Sequence, residues 1–170
     1  ILTSFRCVSS GREWIDRQRA RPDSALELVF RDGSTVGFGD DKPVTITHHP
    51  VSGRCAEVRF HGWDADGIVR VSECPETGAL LIEPSVYSSR TGVHACRWNL
   101  GGLPDDIELV APLFQGVRLR LHDPLIRNTR WGWPIQWEAG LAILQARDEG
   151  LWVHTQDTEY RYKALTVGRE

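Results

Sequence analysis

The 170 residues predict an all-β fold, an antiparallel β-sandwich, on three observations. Short runs that alternate apolar and polar residues recur about every 10–12 residues, the spacing of small antiparallel folds. Turn-forming residues separate the runs, most clearly Asp32-Gly33. Helical periodicity is almost absent: residues 137–146 are the only helix candidate, and Gly140 with the β-branched Ile143 makes a buried strand the better reading there.

Taken in order, residues 1–8 read as a first strand and residues 11–15 as a second short element. Residues 17–24 are polar, contain Pro22, and read as loop. Ala25-Leu26-Glu27-Leu28-Val29-Phe30 suits a half-buried strand and returns through Arg31-Asp32-Gly33-Ser34 into residues 35–38, the clearest hairpin in the sequence. Residues 44–49 and 54–63 continue the rhythm. Asp64-Ala65-Asp66-Gly67 is expected to turn into a strand over 68–74. Further strands are expected over 79–87, 92–100, 106–111, 116–121, 151–155 and 160–167. No repeat of fixed period and no low-complexity linker interrupts the pattern, so residues 1–170 read as a single β-sandwich domain.

Composition removes several classes of function. Apolar residues at 41% and charged residues at 25% are ordinary globular usage and argue against disorder. A net charge of -3 without a basic run argues against nucleic acid and anionic membranes as partners. No stretch approaches the ~18 apolar residues of a membrane span. Because the chain has no methionine and starts at Ile1, it reads as a processed chain or as a segment excised from a longer one. Cys7, Cys55, Cys74 and Cys96 are widely spaced with no C-x-x-C pair, which disfavours a zinc ribbon or dithiol redox site and favours buried free thiols.

The densest chemistry lies in Arg127-Asn128-Thr129-Arg130-Trp131-Gly132-Trp133-Pro134-Ile135-Gln136-Trp137-Glu138-Ala139. Three of the seven tryptophans fall within seven positions, more ring surface than a short segment can bury. Such rings either pack in a core or interdomain contact, or stack on the C–H face of a sugar, with an indole N–H donating to a hydroxyl. Gln136 is placed to hold a hydroxyl or to satisfy nearby backbone. Asp157, with Glu159 two residues on, ends a strand; a carboxylate pair suits acid and base work, but an exposed turn carboxylate that orders a loop is the commoner role. His48-His49, His61, His94, His122 and His154 supply imidazoles without an epimerase-like motif. His48 and His49, adjacent on a strand, point to opposite faces and do not make a metal pair.

Residues 107–119, Ile-Glu-Leu-Val-Ala-Pro-Leu-Phe-Gln-Gly-Val-Arg-Leu, together with Trp133-Pro134-Ile135-Gln136-Trp137 and Gly150-Leu151-Trp152-Val153-His154-Thr155-Gln156-Asp157, resemble the amino-terminal β-sandwich of multidomain glycoside hydrolases. In those enzymes a galactose-mutarotase-like supersandwich precedes a catalytic (β/α)8 barrel. Gly11-Arg12-Glu13-Trp14-Ile15 and Asp32-Gly33 fit the opening hairpins of that family. The resemblance implies an accessory domain with no catalytic residue, metal or cofactor of its own, whose parent frame continues past Glu170 for roughly the 250 residues of a barrel. Its partners would be a carbohydrate or the adjoining catalytic domain, met through Trp131, Trp133, Gln136, Trp137 and Asp157. The alternatives are a stand-alone aldose epimerase and a carbohydrate-binding or protein-interaction β-sandwich.

Overall fold

The structure, a computed structural model, describes residues 4–16, 18–19, 25–37, 45–52, 55–61 and 65–168, with 45–52, 60 and 61 described by backbone alone. All regular structure in these residues is β apart from one 3-10 turn: thirteen strands in four antiparallel sheets, with no α-helix among the described residues. The chain divides into two compact units, Ile1–Leu103 and Pro104–Glu170.

The amino-terminal unit opens on a tight hairpin. The Cys7 N–H donates to the Arg12 carbonyl at 2.8 Å, the Gly11 N–H to the Cys7 carbonyl at 2.9 Å, and Arg6 bridges Glu13. The Glu13 carboxylate accepts from the backbone N–H of Phe5 at 2.6 Å and of Ile15 at 3.2 Å. Those donors are therefore not free for a ladder, which is why residues 4–8 make a single bridge instead of the expected strand; residues 1–3 lie outside the described residues.

β1 (Leu26–Phe30) is central, between β2 (Thr35–Gly37) and β7 (Val93–Trp98). The β1–β2 turn is the expected one, but only Gly33, at φ 82°, adopts positive φ; Asp32 does not. Asp32 instead accepts from the Ser34 N–H at 2.9 Å and from Arg90 at 2.8 Å, while the Arg90 guanidinium lies 3.9 Å from the Phe30 ring centroid. The Ser34 hydroxyl first, and then the Ser34 N–H and Arg90, hold the Asp32 carboxyl below the usual carboxylate range.

β3 (Thr45–Ser52), β4 (Cys55–His61), β5 (Ala65–Glu73) and β6 (Leu80–Ser88) form a meander in chain order. Ala65, Val69, Leu26, Leu28 and Phe30 make one buried cluster, edged by Val36, Val71, Val86 and Trp98, so the two sheets of this unit share a core. Ala65, Asp66 and Gly67, expected in a turn, belong to β5: buried Ala65 and Gly67 flank exposed Asp66, the alternation of a strand. Pro84 sits on the edge strand β6, where its missing N–H removes no central ladder bond. On β4 the buried Glu57 meets Arg59 at 2.5 Å and Arg70 at 3.2 Å. Arg59 above all keeps it ionised, with its pKa lowered.

The cysteines are free thiols, but not buried ones as expected: Cys7, Cys55 and Cys74 are half-buried and Cys96 is exposed. Cys7 lies in the first turn, Cys74 follows the end of β5 and Cys55 begins β4, positions that strand ends leave accessible. The Ser10 hydroxyl first, then Ser9, lowers the Cys7 pKa to about 7.

In the carboxy-terminal unit β12 (Gly150–His154), β11 (Leu141–Gln145), β8 (Glu108–Ala111) and β9 (Val117–Arg120) form one sheet in that order, and β10 (Arg130–Gly132) pairs with β13 (Ala164–Thr166). Leu109 and Leu144 are register partners, and with Ala111 and Ala142 they form the buried face of the four-stranded sheet. β11 confirms the strand reading over the helical one, but it begins only at Leu141, because Gly140 at φ 58° turns the chain just before it. A 3-10 turn, Pro124–Ile126, which the sequence pattern did not suggest, is capped by Asp123 accepting from the Leu125 N–H.

Candidate functional site

The tryptophan-rich stretch separates into two structural rings and one partly exposed ring. Trp131, opposite Leu165 in the β10–β13 pair, and Trp137 are buried at 7% and 6% exposure. Trp137 also satisfies its polar edge: its indole N–H donates to the Leu141 carbonyl at 2.7 Å. Its backbone bridges Leu113, and the next residue's N–H reaches the Pro112 carbonyl at 3.0 Å. Both rings therefore serve packing.

Between them the chain makes a closed turn. The N–H groups of Gln136 and Trp137 donate to the Gly132 carbonyl at 2.9 and 3.2 Å, and the Gly132 N–H donates to the Gln136 side-chain oxygen at 3.0 Å. The Trp133–Pro134 peptide is cis. Gln136 thus satisfies backbone with its oxygen, and its side chain lies at an exposed position. This turn leaves Ile135 86% exposed and Trp133 half-buried.

A second segment, residues 157–163, lies against this turn. Asp157 accepts from the N–H of Glu159 at 3.0 Å and of Arg161 at 2.8 Å, and from the Lys163 ammonium at 2.7 Å. That ammonium is 4.4 Å from the Trp133 ring centroid, and the Trp133 N–H donates to the Lys163 carbonyl at 2.9 Å. The Tyr160 ring stands 6.1 Å from Trp133 at an interplanar angle of 30°, and the Tyr162 hydroxyl lies so near Gly132 that a Cβ there would come within 2.5 Å of it. A side chain at 132 would therefore displace the Tyr162 ring end from its place beside the turn. Residues 160–163 were expected to be strand; Asp157 captures two of the local backbone donors and Tyr160 sits at φ 52°, so β13 begins at Ala164.

Lys163 is the largest cause of a lowered Asp157 pKa, with the Glu159 N–H next. A depressed folded-state value means that this carboxylate stabilises the segment fully above the ordinary carboxylate pKa of about 3.9, and that the contribution is lost as pH falls through the lowered value. Asp157→Asn is expected to raise amide hydrogen exchange in residues 158–162 at neutral pH and to leave the exchange of β8 and β11 unchanged. Uniform acceleration across both regions would show that Asp157 acts on global stability instead.

Gly132, Trp133, Ile135, Gln136 and Tyr162 line an open cleft of about 330 Å³. Tyr162 and Tyr160 are 62% and 79% exposed beside it, so the cleft offers flat ring surface, a phenol hydroxyl and an amide in one place. Of the sequence candidates, Trp133 and Gln136 line it, Asp157 supports it from behind through Lys163, and Trp131 and Trp137 are buried. Tyr160, Tyr162, Lys163 and Arg130 were not anticipated. The signal for Tyr160, Tyr162 and Lys163 was the run Tyr160-Arg161-Tyr162-Lys163, aromatic and basic residues in alternation, which reads equally as an ordinary strand; Arg130 lay inside the tryptophan-rich stretch without a role of its own.

Among the described residues the imidazoles make no comparable arrangement. His122 Nε2 is 3.2 Å from Asp105, and the His154 ring is edge-on to Trp152 at 6.3 Å. The side chains of His48, His49 and His61 lie outside the described residues, as does Trp63. No group of His, Cys, Asp and Glu that could hold a metal occurs among the described residues, and no described helix is long and apolar enough to cross a membrane. The chain matches no protein-family model, no curated protein and no solved structure.

Proposed function

We propose that this chain is an accessory antiparallel β-sandwich, of the galactose-mutarotase-like kind, that serves a glycoside hydrolase by contacting carbohydrate through the cleft at Trp133. The observation that carries this reading is the convergence of Trp133, Tyr162 and the Gln136 amide on one open cleft. Ring faces match the C–H surface of a pyranose, and the phenol and amide match its hydroxyls. This reading gives the cleft a binding role; the candidate carboxylate Asp157 is ion-paired and held ionised, a poor state from which to donate a proton.

Calorimetric titration of the protein with a panel of neutral and acidic oligosaccharides, read in parallel by tryptophan fluorescence, tests it. Saturable heat with a fluorescence change that Tyr162→Ala abolishes is the expected result. Flat titrations across the panel would overturn the carbohydrate reading and leave the same exposed rings, with Ile135, as a contact surface for an adjoining catalytic domain.

A further inference from the structure

The cationic groups around the cleft are not equivalent. Lys163 is taken by Asp157 at 2.7 Å, and Arg161 is paired with Glu159. Arg130 meets no carboxylate among the described residues; it is exposed, and its guanidinium lies 5.3 Å from the centroid of the Tyr162 ring, which lines the cleft. Arg130 and Gly132 are two apart on β10 and so share a face of that strand, and the Tyr162 hydroxyl reaches Gly132. The Tyr162 ring therefore spans from the Arg130 guanidinium to Gly132 in the cleft lining. A guanidinium on an aromatic face is pre-organised, and its planar fork suits a carboxylate. Among the described residues no carboxylate neutralises it, and β10 holds it at the margin of a cleft made of rings and amide.

Building on the carbohydrate reading, we infer that the cleft takes an acidic saccharide, a uronic-acid-containing chain whose sugar ring lies on Trp133 and Tyr162 and whose carboxylate is received by Arg130. Trp133 and Tyr162 give contact with any pyranose; Arg130 gives the preference for the charged one. The attraction is between partly exposed charges, so it weakens with added salt.

The test compares matched ligands: tetramers of galacturonate and of mannuronate, each as the free acid and as its methyl ester, titrated into the 170-residue protein and into R130Q. The native protein is expected to bind one free acid about tenfold or more tightly than its ester, the size of a charge-assisted hydrogen bond, and R130Q is expected to bind acid and ester alike. Circular dichroism of R130Q confirms that the fold is kept. Equal affinity of the native protein for acid and ester overturns the acidic preference while the saccharide reading stands. A preference that survives in R130Q overturns the role of Arg130. Absence of binding to these four ligands, with neutral oligosaccharides bound, overturns the acidic class alone; absence of binding to any saccharide overturns both readings.

Discussion

Trp137→Ala is expected to destabilise the protein by about 3–5 kcal/mol, the usual cost of emptying a buried aromatic site. The ring is 6% exposed, so little of its surface is returned to water cheaply, and its loss leaves a cavity beside a bridge to Leu113. Its indole N–H also donates to the Leu141 carbonyl at 2.7 Å, at the first residue of β11. Trp137→Phe separates the two contributions, because it keeps most of the apolar volume and removes the donor; about 1–3 kcal/mol is expected from the unpaired carbonyl and the smaller ring together. Urea unfolding followed by circular dichroism measures both. A Trp137→Ala protein within about 1 kcal/mol of the native one would mean that the ring is a surface group and that the turn is held elsewhere.

Why Trp137 and Trp133 differ could not be read from the sequence, although they are four residues apart and flank the same turn. The strands themselves were legible, because alternation reports which face of a strand is wet: Leu26, Leu28 and Phe30 are buried in β1 as the pattern demands, and Ala142 and Leu144 likewise in β11. What alternation cannot report is a side chain that competes for backbone donors. Glu13 near the amino-terminal end and Asp157 near the carboxy-terminal end each accept two backbone N–H bonds, and each replaces an expected strand by a turn or an irregular segment. The cleft arises from the second of these. Residues 160–163 alternate like a strand, but once Asp157 has taken the N–H groups of Glu159 and Arg161, Tyr160 and Tyr162 are released from a ladder and meet the Trp133 turn. The aromatic density pointed to the right turn; the arm that completes the cleft lay about thirty residues away in sequence, in a pattern that a plain strand would share and well beyond the ~11–18-residue window in which periodicity is read.

Trp133→Ala is the counterpart of the Trp137 experiment, with the opposite division of effects. Trp133 is half-buried, one of its neighbours is the ammonium of Lys163 at 4.4 Å, and its backbone N–H to the Lys163 carbonyl survives any substitution but proline. The stability cost should therefore stay near the middle of the range for single substitutions, about 1 kcal/mol. Binding at the cleft should suffer more. A central aromatic anchor is worth about 2 kcal/mol or more at a recognition site, close to 30-fold in affinity, and the ring contributes surface to a cleft that has only four other lining residues, Gly132, Ile135, Gln136 and Tyr162. Calorimetry with the tightest oligosaccharide of the panel, alongside urea unfolding of the same variant, reads the two effects separately. A large loss of affinity with stability nearly kept assigns the ring to the ligand. Equal losses in both, as Trp137→Ala would give, assign it to the scaffold, because a ring that holds the turn in place cannot be removed without moving Gln136 and Ile135 with it. The ion pair behind the ring sharpens the contrast: Asp157 and Lys163 remain in Trp133→Ala to hold the residue 157–163 segment, so Tyr162 keeps its place over Gly132 and any binding that remains is the share of the phenol and the amide.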